Sequence, residues 1–379
     1  MTRRKLMLAG LVLPAALAAA AFLFAWSGLY SVAASNGHWP ITAWLLQVGM
    51  ERSVTAHAAE IEPPPDLAEP RLVESAAGHF ALGCAPCHGA PGVPPSRVTQ
   101  QMLPAPPDLT QAVPKWEAKE LFWIALHGIK YAGMPAWPAQ ARADEVWAMT
   151  AFLLQLPEMT PDRFGALSSL AGGTPEVNAG TLPPVLPAAD PSLCARCHGR
   201  DGGGSPSGGV PRLAGQKRDY LRTTLQDYRS EARPSGVMGP VAVFLEDADI
   251  ERLAGYYSAL EAPRGPAPEA DATRVEAGRA LAAMGDRRSG IPACSGCHGA
   301  DGRAGDRLPA YPALAGQHAP YLVQQLRLWR AGIRGGRHGN LMTAAAANLS
   351  DGQIAAVASY FAGLRLDEGL PRGQAAGSP

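Results

Sequence analysis

Cys294-Ser295-Gly296-Cys297-His298-Gly299 is the stretch on which the fold turns. The same C-x-x-C-H pattern stands at Cys84-Ala85-Pro86-Cys87-His88 and at Cys194-Ala195-Arg196-Cys197-His198, and the six cysteines of the chain all lie in these three motifs. C-x-x-C-H reads as covalent attachment of a c-type haem. The two thiols would join the porphyrin as thioethers, and the adjacent histidine would supply the proximal nitrogen to iron. Structural zinc wants a second pair of thiolates or histidines at close spacing, and there is no seventh cysteine. A thioredoxin-like C-x-x-C does not need histidine after its second cysteine three times over. Gly89, Gly199 and Gly299 follow the motifs and let the backbone turn tightly. The expectation is three covalently attached haem c groups, with Cys84, Cys87, Cys194, Cys197, Cys294 and Cys297 as attachment points and His88, His198 and His298 as iron ligands.

Arg3, Arg4 and Lys5 precede an apolar run from Leu6 to Ala34, and no Asp, Glu, Lys or Arg stands between Lys5 and Glu51. Charge before an apolar span holds the N-terminus in the cytoplasm. The run exceeds a secretory h-region and reaches the roughly 20 residues that a span requires. It reads as an uncleaved signal anchor over 1–34. A cleaved signal is the alternative, with small residues at Val32-Ala33-Ala34 and at Ala56-His57-Ala58. Trp39 to Met50 suits a short helix along the membrane surface. Either way the haem-bearing parts lie outside the cytoplasm. Net charge is zero, so no global field points to nucleic acid. With 36 prolines and 42 glycines in 379 residues, small loop-rich domains around a cofactor are expected rather than one large core.

After a juxtamembrane segment and proline-rich spacer over 35–70, a first haem domain is expected over 71–160, with helices at Leu72–Leu82, Lys115–Gly128 and Asp144–Leu156. Residues 161–187 read as a linker. A second haem domain spans 188–262 and a third 268–367, before a loose tail over 368–379. Domains two and three repeat each other. Pro211-Arg212-Leu213-Ala214-Gly215-Gln216 answers to Pro312-Ala313-Leu314-Ala315-Gly316-Gln317, Tyr220-Leu221 to Tyr321-Leu322, and Leu225 and Arg229 to Leu326 and Arg330. Domain two has prolines, Pro183, Pro184, Pro187 and Pro191, where a leading helix would stand.

The sixth iron ligand separates electron transfer from catalysis, because a haem with two protein ligands offers substrate no open position. Each domain carries a methionine in a Gly/Pro-rich loop about forty residues after its histidine: Met134 in Gly133-Met134-Pro135-Ala136-Trp137, Met238 in Val237-Met238-Gly239-Pro240, and Met342 in Leu341-Met342-Thr343. A thioether is a soft ligand, and His/Met ligation raises the iron potential. The alternative is that methionine fills core gaps. That role is expected for Met102, Met149, Met159 and Met284. His79, His127, His318 and His338 are weaker distal candidates, with solvated or packing roles set against them. The second nitrogen of each proximal imidazole needs a backbone carbonyl, for which Pro107, Pro211 and Pro312 are the candidates. Arg229, Arg330, Tyr220, Tyr321, Gln216 and Gln317 are candidate propionate donors, a solvated helix face being the other reading for the arginines. The basic run Arg327–Arg337 would dock an acidic partner or neutralise propionates.

These motifs resemble class I cytochromes c. C-x-x-C-H-G-x-D-G (Cys194–Gly202, Cys294–Gly302), P-x-L-A-G-Q, Y-L and a late methionine resemble the dihaem cytochrome c4 family. Domain one resembles a monohaem class I cytochrome with a Gly-Met-Pro-Ala-Trp ligand loop. The resemblance implies an all-α fold: three small class I cytochrome c domains in tandem behind an N-terminal transmembrane helix. It implies His88/Met134, His198/Met238 and His298/Met342 as axial pairs. It also implies a leading helix with glycine and an aromatic, met at Gly78-His79-Phe80 and at Gly278 but not in domain two, whose haem edge is then either exposed or covered by the linker. The expected function is a non-enzymatic, membrane-anchored trihaem carrier on the periplasmic side of a bacterial inner membrane. A cytochrome bc-type complex or a dehydrogenase would donate electrons, and a terminal oxidase or reductase would accept them. The competing readings are a permanent cytochrome subunit of a membrane-bound dehydrogenase or oxidase complex, and a haem peroxidase, against which three candidate methionines argue.

Overall fold

The computed structural model describes residues 3–168, 191–262, 271–304, 310–337 and 339–364, with side chains from residue 12 onward. The described residues are helical and contain no strand, only three isolated antiparallel bridges such as Ile129 to Met134. The expected tail over 368–379, most of the expected linker, and Pro183, Pro184, Pro187 and His338 lie outside the described residues.

Helix α1 (Arg3–Trp26) is followed by α2 (Pro40–Ala58). Among the described residues no helix is long and apolar enough to cross a membrane. The span expected over 1–34 is thus not found there. Helix α2 runs past the short surface helix expected at Trp39–Met50. Val54 and Ala58 are fully buried, and the Thr55 hydroxyl donates to Glu120 Oε1 at 2.8 Å. The proline-rich stretch after it is no free spacer, because Ile61 and Leu67 pack into the adjoining core and Arg71 pairs with Asp66 and Glu69.

That core is built by α3 (Pro70–His79), α4 (Ala85–His88), α5 (Leu109–Ala112), α6 (Ala118–His127), α7 (Ala143–Gln155) and α8 (Pro161–Ser168). Proline at the first helical position starts α3, and a Glu117/Glu120 capping box starts α6. Helix α3 crosses α7 with Val73, Ala76, Ala77 and Phe80 against Val146, Met149 and Phe152; the Phe80 and Phe152 rings are 4.8 Å apart. Phe122 of α6 stacks on Trp147 at 4.1 Å. Residues 161–168, expected as linker, fold back as α8 because Phe164 and Leu167 find room in this core, Phe164 edge-on to Phe80.

The repeated half comprises α9 (Pro191–His198), α10 (Arg218–Arg229), α11 (Met238–Ala242) and α12 (Asp247–Ala259), then α13 (Ala272–Met284), α14 (Ser295–His298), α15 (Ala319–Arg330), α16 (Gly339–Ala346) and α17 (Asp351–Gly363). Leu221 packs with Ala254 and Tyr257 in one repeat; Leu322 packs with Ala358 and Phe361 in the other. Helix α13 crosses α17 at Gly278, where an added Cβ would lie 2.1 Å from the Ala356 carbonyl oxygen.

Helix α3 of the first segment approaches α9. A Cβ at Gly78 would sit 2.3 Å from Cys197 Sγ, and the Glu74 carboxylate accepts from the Ser207 amide (3.1 Å) and hydroxyl (2.5 Å). The two repeats join through reciprocal clamps. Gln216 donates to Ala313 O (3.0 Å) and accepts from Ala313 N (2.8 Å), while Gln317 donates to Arg212 O (2.9 Å) and accepts from Arg212 N (3.0 Å).

Gly278→Ala should force α13 off α17 and lower stability by about 1–3 kcal/mol, whereas Gly363→Ala, with open space around it, should not. Urea unfolding of both variants checks this; equal midpoints would refute the close crossing.

Candidate haem-attachment sites

Each motif lies on a helical turn that ends at its histidine, and the following glycine takes a left-handed φ of 73° (Gly89), 77° (Gly199) or 76° (Gly299). These turns send the chain back across the imidazole. His88 Nδ1 meets Pro107 O at 2.9 Å, His198 Nδ1 meets Pro211 O at 3.0 Å, and His298 Nδ1 meets Pro312 O at 3.2 Å. A carbonyl only accepts, so Nδ1 carries the proton and Nε2 keeps its lone pair for a metal. Burial lowers the pKa of all three imidazoles, against the raising effect of the proline carbonyls. They are therefore neutral near pH 7.

All six cysteines are unbridged. Burial first, and the neighbouring thiol second, push Cys84 up to about 12 and Cys197 up to about 11. Burial also raises Cys294. Cys84, Cys197 and Cys294 are thus held uncharged, which suits attachment to an apolar macrocycle rather than free thiolate chemistry.

The proposed distal methionines are all half-buried. Met134 sits in an irregular loop as expected, its carbonyl accepting from Ile129 N at 3.2 Å. Met238 and Met342 differ from the expected loops: Met238 begins α11 and Met342 lies inside α16. Ser235 starts the first turn by accepting from Val237 N (3.2 Å) and Met238 N (2.9 Å), and the alanines after Leu341 favour helix in the second. Met149 and Met159 are core residues as expected, 2% and 6% exposed, but Met284 is 72% exposed and fills no gap.

The weaker histidines have other occupations. His79 packs on Trp137 at 4.9 Å, His127 lies exposed beside Trp123, and His318 bonds Gly203 O at 2.8 Å. Most candidate propionate donors are also engaged. Arg229 donates to Leu245 O and Asp247, and Arg330 to Leu349 O and Asp351, so each staples the start of a final helix. Within the basic run, Arg327 and Arg330 share Asp351 at the surface, and of its arginines only Arg334 is buried.

Sequence reasoning missed Arg233 and, as a buried group, Arg334, which are 5% and 7% exposed. Both donate to Gln325 Oε1 (3.0 and 2.6 Å), and each donates to a tyrosine of the other repeat, Arg233 to Tyr321 and Arg334 to Tyr220, both at 3.1 Å. Arg334 also lies over the Trp329 ring at 3.7 Å. Their shared register in the repeat was the available signal, four residues after Arg229 and Arg330. Two buried guanidiniums with no carboxylate partner need an anion. Arg212 Nε, Arg334 Nε and Trp329 Nε1 are buried without an acceptor. Haem propionates would supply both the charge and the acceptors, and this fits the chain to the cofactor.

A neutral imidazole pinned by a proline carbonyl beside two unbridged cysteines is the haem-attachment arrangement of a c-type cytochrome. Residues 192–260 and 275–365 match the family Cytochrome c, and residues 71–153 match Cytochrome C oxidase, cbb3-type, subunit III. A thiosulfate dehydrogenase electron acceptor of Thiomonas intermedia is 40% identical over 45% of this chain and 77% of its own length. Cytochrome c4 of Thiocapsa roseopersicina is 40% identical over 45% of this chain and 87% of its own. The crystal structure of reduced recombinant cytochrome c4 from Pseudomonas stutzeri is 36% identical, covers 46% of this chain and 94% of that one, and has a TM-score of 0.42. The chain belongs to the class I cytochrome c family, with its repeated half related to the dihaem cytochromes c4. It is an electron-transfer protein with covalently bound haem c.

Burial alone lowers the His79 pKa to about 4. In acid the unfolded chain takes up this proton first, so the stability His79 confers is present above about pH 6.5 and is lost as pH falls towards 4. Urea midpoints between pH 7 and 4.5 should fall more steeply in the parent than in His79→Gln; parallel curves would refute the assignment.

Proposed function

We propose that the chain is a membrane-anchored trihaem electron carrier of a bacterial respiratory chain, with its haem domains on the periplasmic side of the inner membrane. The observation that carries this reading is the threefold recurrence of one geometry: C-x-x-C-H on a helical turn with its imidazole held by a proline carbonyl. Bound haem supplies one-electron oxidation and reduction of iron. Cys84, Cys87, Cys194, Cys197, Cys294 and Cys297 hold it covalently, and His88, His198 and His298 present Nε2 to the metal. Met134, Met238 and Met342 would supply the second protein ligand to each iron, which would leave substrate no open coordination position and disfavour peroxidase chemistry. The domains fall at 71–160, 188–262 and 268–367, the first lengthened by α2 and α8.

The anchor rests on the charge-then-apolar pattern of residues 3–34 and on the exposure of the described apolar side chains of α1, from Leu13 and Leu17 to Phe22 and Trp26. A dehydrogenase as donor is supported by similarity to a protein described as the electron acceptor of thiosulfate dehydrogenase. A terminal oxidase as acceptor is supported by the match of residues 71–153 to an oxidase subunit family. The same two likenesses favour the second reading, a permanent cytochrome subunit of a dehydrogenase or oxidase complex. A cytochrome bc-type complex remains the alternative donor.

Purification from membranes tests the proposal. Intact mass should equal the chain plus three haems, with residues 1–34 retained, and redox titration should resolve three high-potential steps. Two haems, or a chain recovered wholly in the soluble fraction without its first 34 residues, would overturn it. Co-purification of a stoichiometric catalytic subunit would decide for the fixed-subunit reading. Met342→Ala should lower one of the three potentials and convert one haem from the Met-ligated spectrum; an unchanged spectrum would remove Met342 as a ligand.

A further inference from the structure

The seam between the first haem domain and the second is built around one carboxylate. Glu145 of α7 accepts from the Ser235 hydroxyl (2.6 Å, Oε1) and the Gly236 amide (2.6 Å, Oε2), both of the second domain. From its own domain it accepts from Trp137 Nε1 at 3.2 Å and pairs with Arg142 at 2.8 Å. The Glu145 and Arg142 side chains are each 9% exposed. Arg142 also donates to Pro234 O at 2.9 Å.

The Ser235 hydroxyl has one proton and two lone pairs. The proton goes to Glu145. The lone pairs accept from Val237 N and Met238 N. The carboxylate therefore fixes the serine rotor, and the serine fixes the backbone that carries Met238. Gly236 leaves no slack, because an added Cβ would lie 1.9 Å from Trp137 Nε1. Trp137 closes the Gly133–Trp137 stretch that holds Met134. The two methionine loops thus abut through a tryptophan and a carboxylate. On the other side of the same seam, Gly78 of α3 lies against Cys197, and Glu74 holds Ser207.

We propose that the first domain completes the second domain's haem site across this seam, with Glu145 as the positioning residue for the Met238 loop and α3 packing against the attachment helix α9. Docking of the first domain then sets the ligation and potential of the second domain's haem, and the pair behaves as one fixed redox unit. The inference rests on the reading of Met238 as a distal ligand. A carboxylate that only glued two surfaces together would not need two donors from adjacent residues of a single ligand-bearing loop.

The experiment uses the full-length holoprotein with Glu145→Ala, Glu145→Gln, Ser235→Ala and Met238→Ala. In Glu145→Ala, amide hydrogen exchange over residues 235–242 should accelerate about tenfold or more, as expected for loss of a hydrogen bond to a charged group. One of the three potentials should fall, and the Met–iron charge-transfer band should weaken while the other two haems keep their potentials. Ser235→Ala should reproduce this, and Glu145→Gln, which keeps an acceptor for Gly236, should fall between. If Glu145→Ala does not fold, Glu145→Gln and Ser235→Ala carry the same readouts. Exchange over 235–242 and all three potentials unchanged in both Glu145 variants would overturn the proposal. Failure of the ligand reading is distinguishable, since Met238→Ala would then leave the band and the potentials untouched.

Discussion

The hydrogen bond from a histidine Nδ1–H to a proline carbonyl is the constraint on which the rest is arranged. It settles the tautomer, leaves Nε2 available, and fixes the ring plane before any metal arrives. Its acceptor lies 19, 13 or 14 residues further along the chain. The intervening loop must therefore double back, and glycine at positive φ after each motif permits this at little cost. In the repeated half the loop is pressed onto the last helix. Gly202 would place a Cβ 3.2 Å from the Tyr257 ring, and Gly302 would place one 3.1 Å from the Phe361 ring. Asp201 and Asp301 turn the same loops by accepting from Gly203 N and Arg303 N. The C-x-x-C-H-G-x-D-G signature is thus a statement about both iron ligation and backbone path.

The junction between the repeats has a different logic. Two glutamines make four backbone hydrogen bonds across it, which fixes register without contributing charge. Two buried guanidiniums then face one amide oxygen and two phenols. Burial would raise the Tyr220 pKa, but Arg334 and Arg233 outweigh it and bring it down to about 8. The centre holds two guanidiniums and, among the described residues, no carboxylate paired with them. An anionic cofactor edge satisfies such a centre, whereas an apolar interface would leave it unstable.

Periodicity and motif spacing disclosed most of the helices. Lys115–Gly128 was expected and Ala118–His127 is found; Asp144–Leu156 was expected and Ala143–Gln155 is found. The proline carbonyl partners of His198 and His298 were also readable, because the repeat places Pro211 and Pro312 alike, whereas Pro107 had no repeat to point to it. What composition hid were the tertiary uses of unremarkable sequence. Residues 161–168 look like linker until Phe164 and Leu167 are given a core to enter. Residues 61–70 look like a spacer until Ile61 and Leu67 are seen packed, half-buried, against the core. Arg233 and Arg334 read as surface charge because single-residue chemistry says arginine belongs in water, and only their neighbours reverse that. The distal methionines were legible as residues but not as conformations, since short helices such as α11 follow from a serine cap and a neighbouring domain.

The second domain shows what such borrowing entails. Its attachment helix packs against α3, more than a hundred residues earlier in sequence, and its methionine loop is tied to α7 by Arg142 and Glu145. Its other face is clamped to the third domain by the glutamine pairs. Asp144, adjoining Glu145, accepts from Gln324 of the third domain at 2.5 Å, so one short run of α7 touches both of the others. Contacts of such high sequence separation form late, because loop-closure entropy must be met before they stabilise anything. The middle haem site is therefore the one whose geometry depends least on its own segment and most on the assembly of the whole chain.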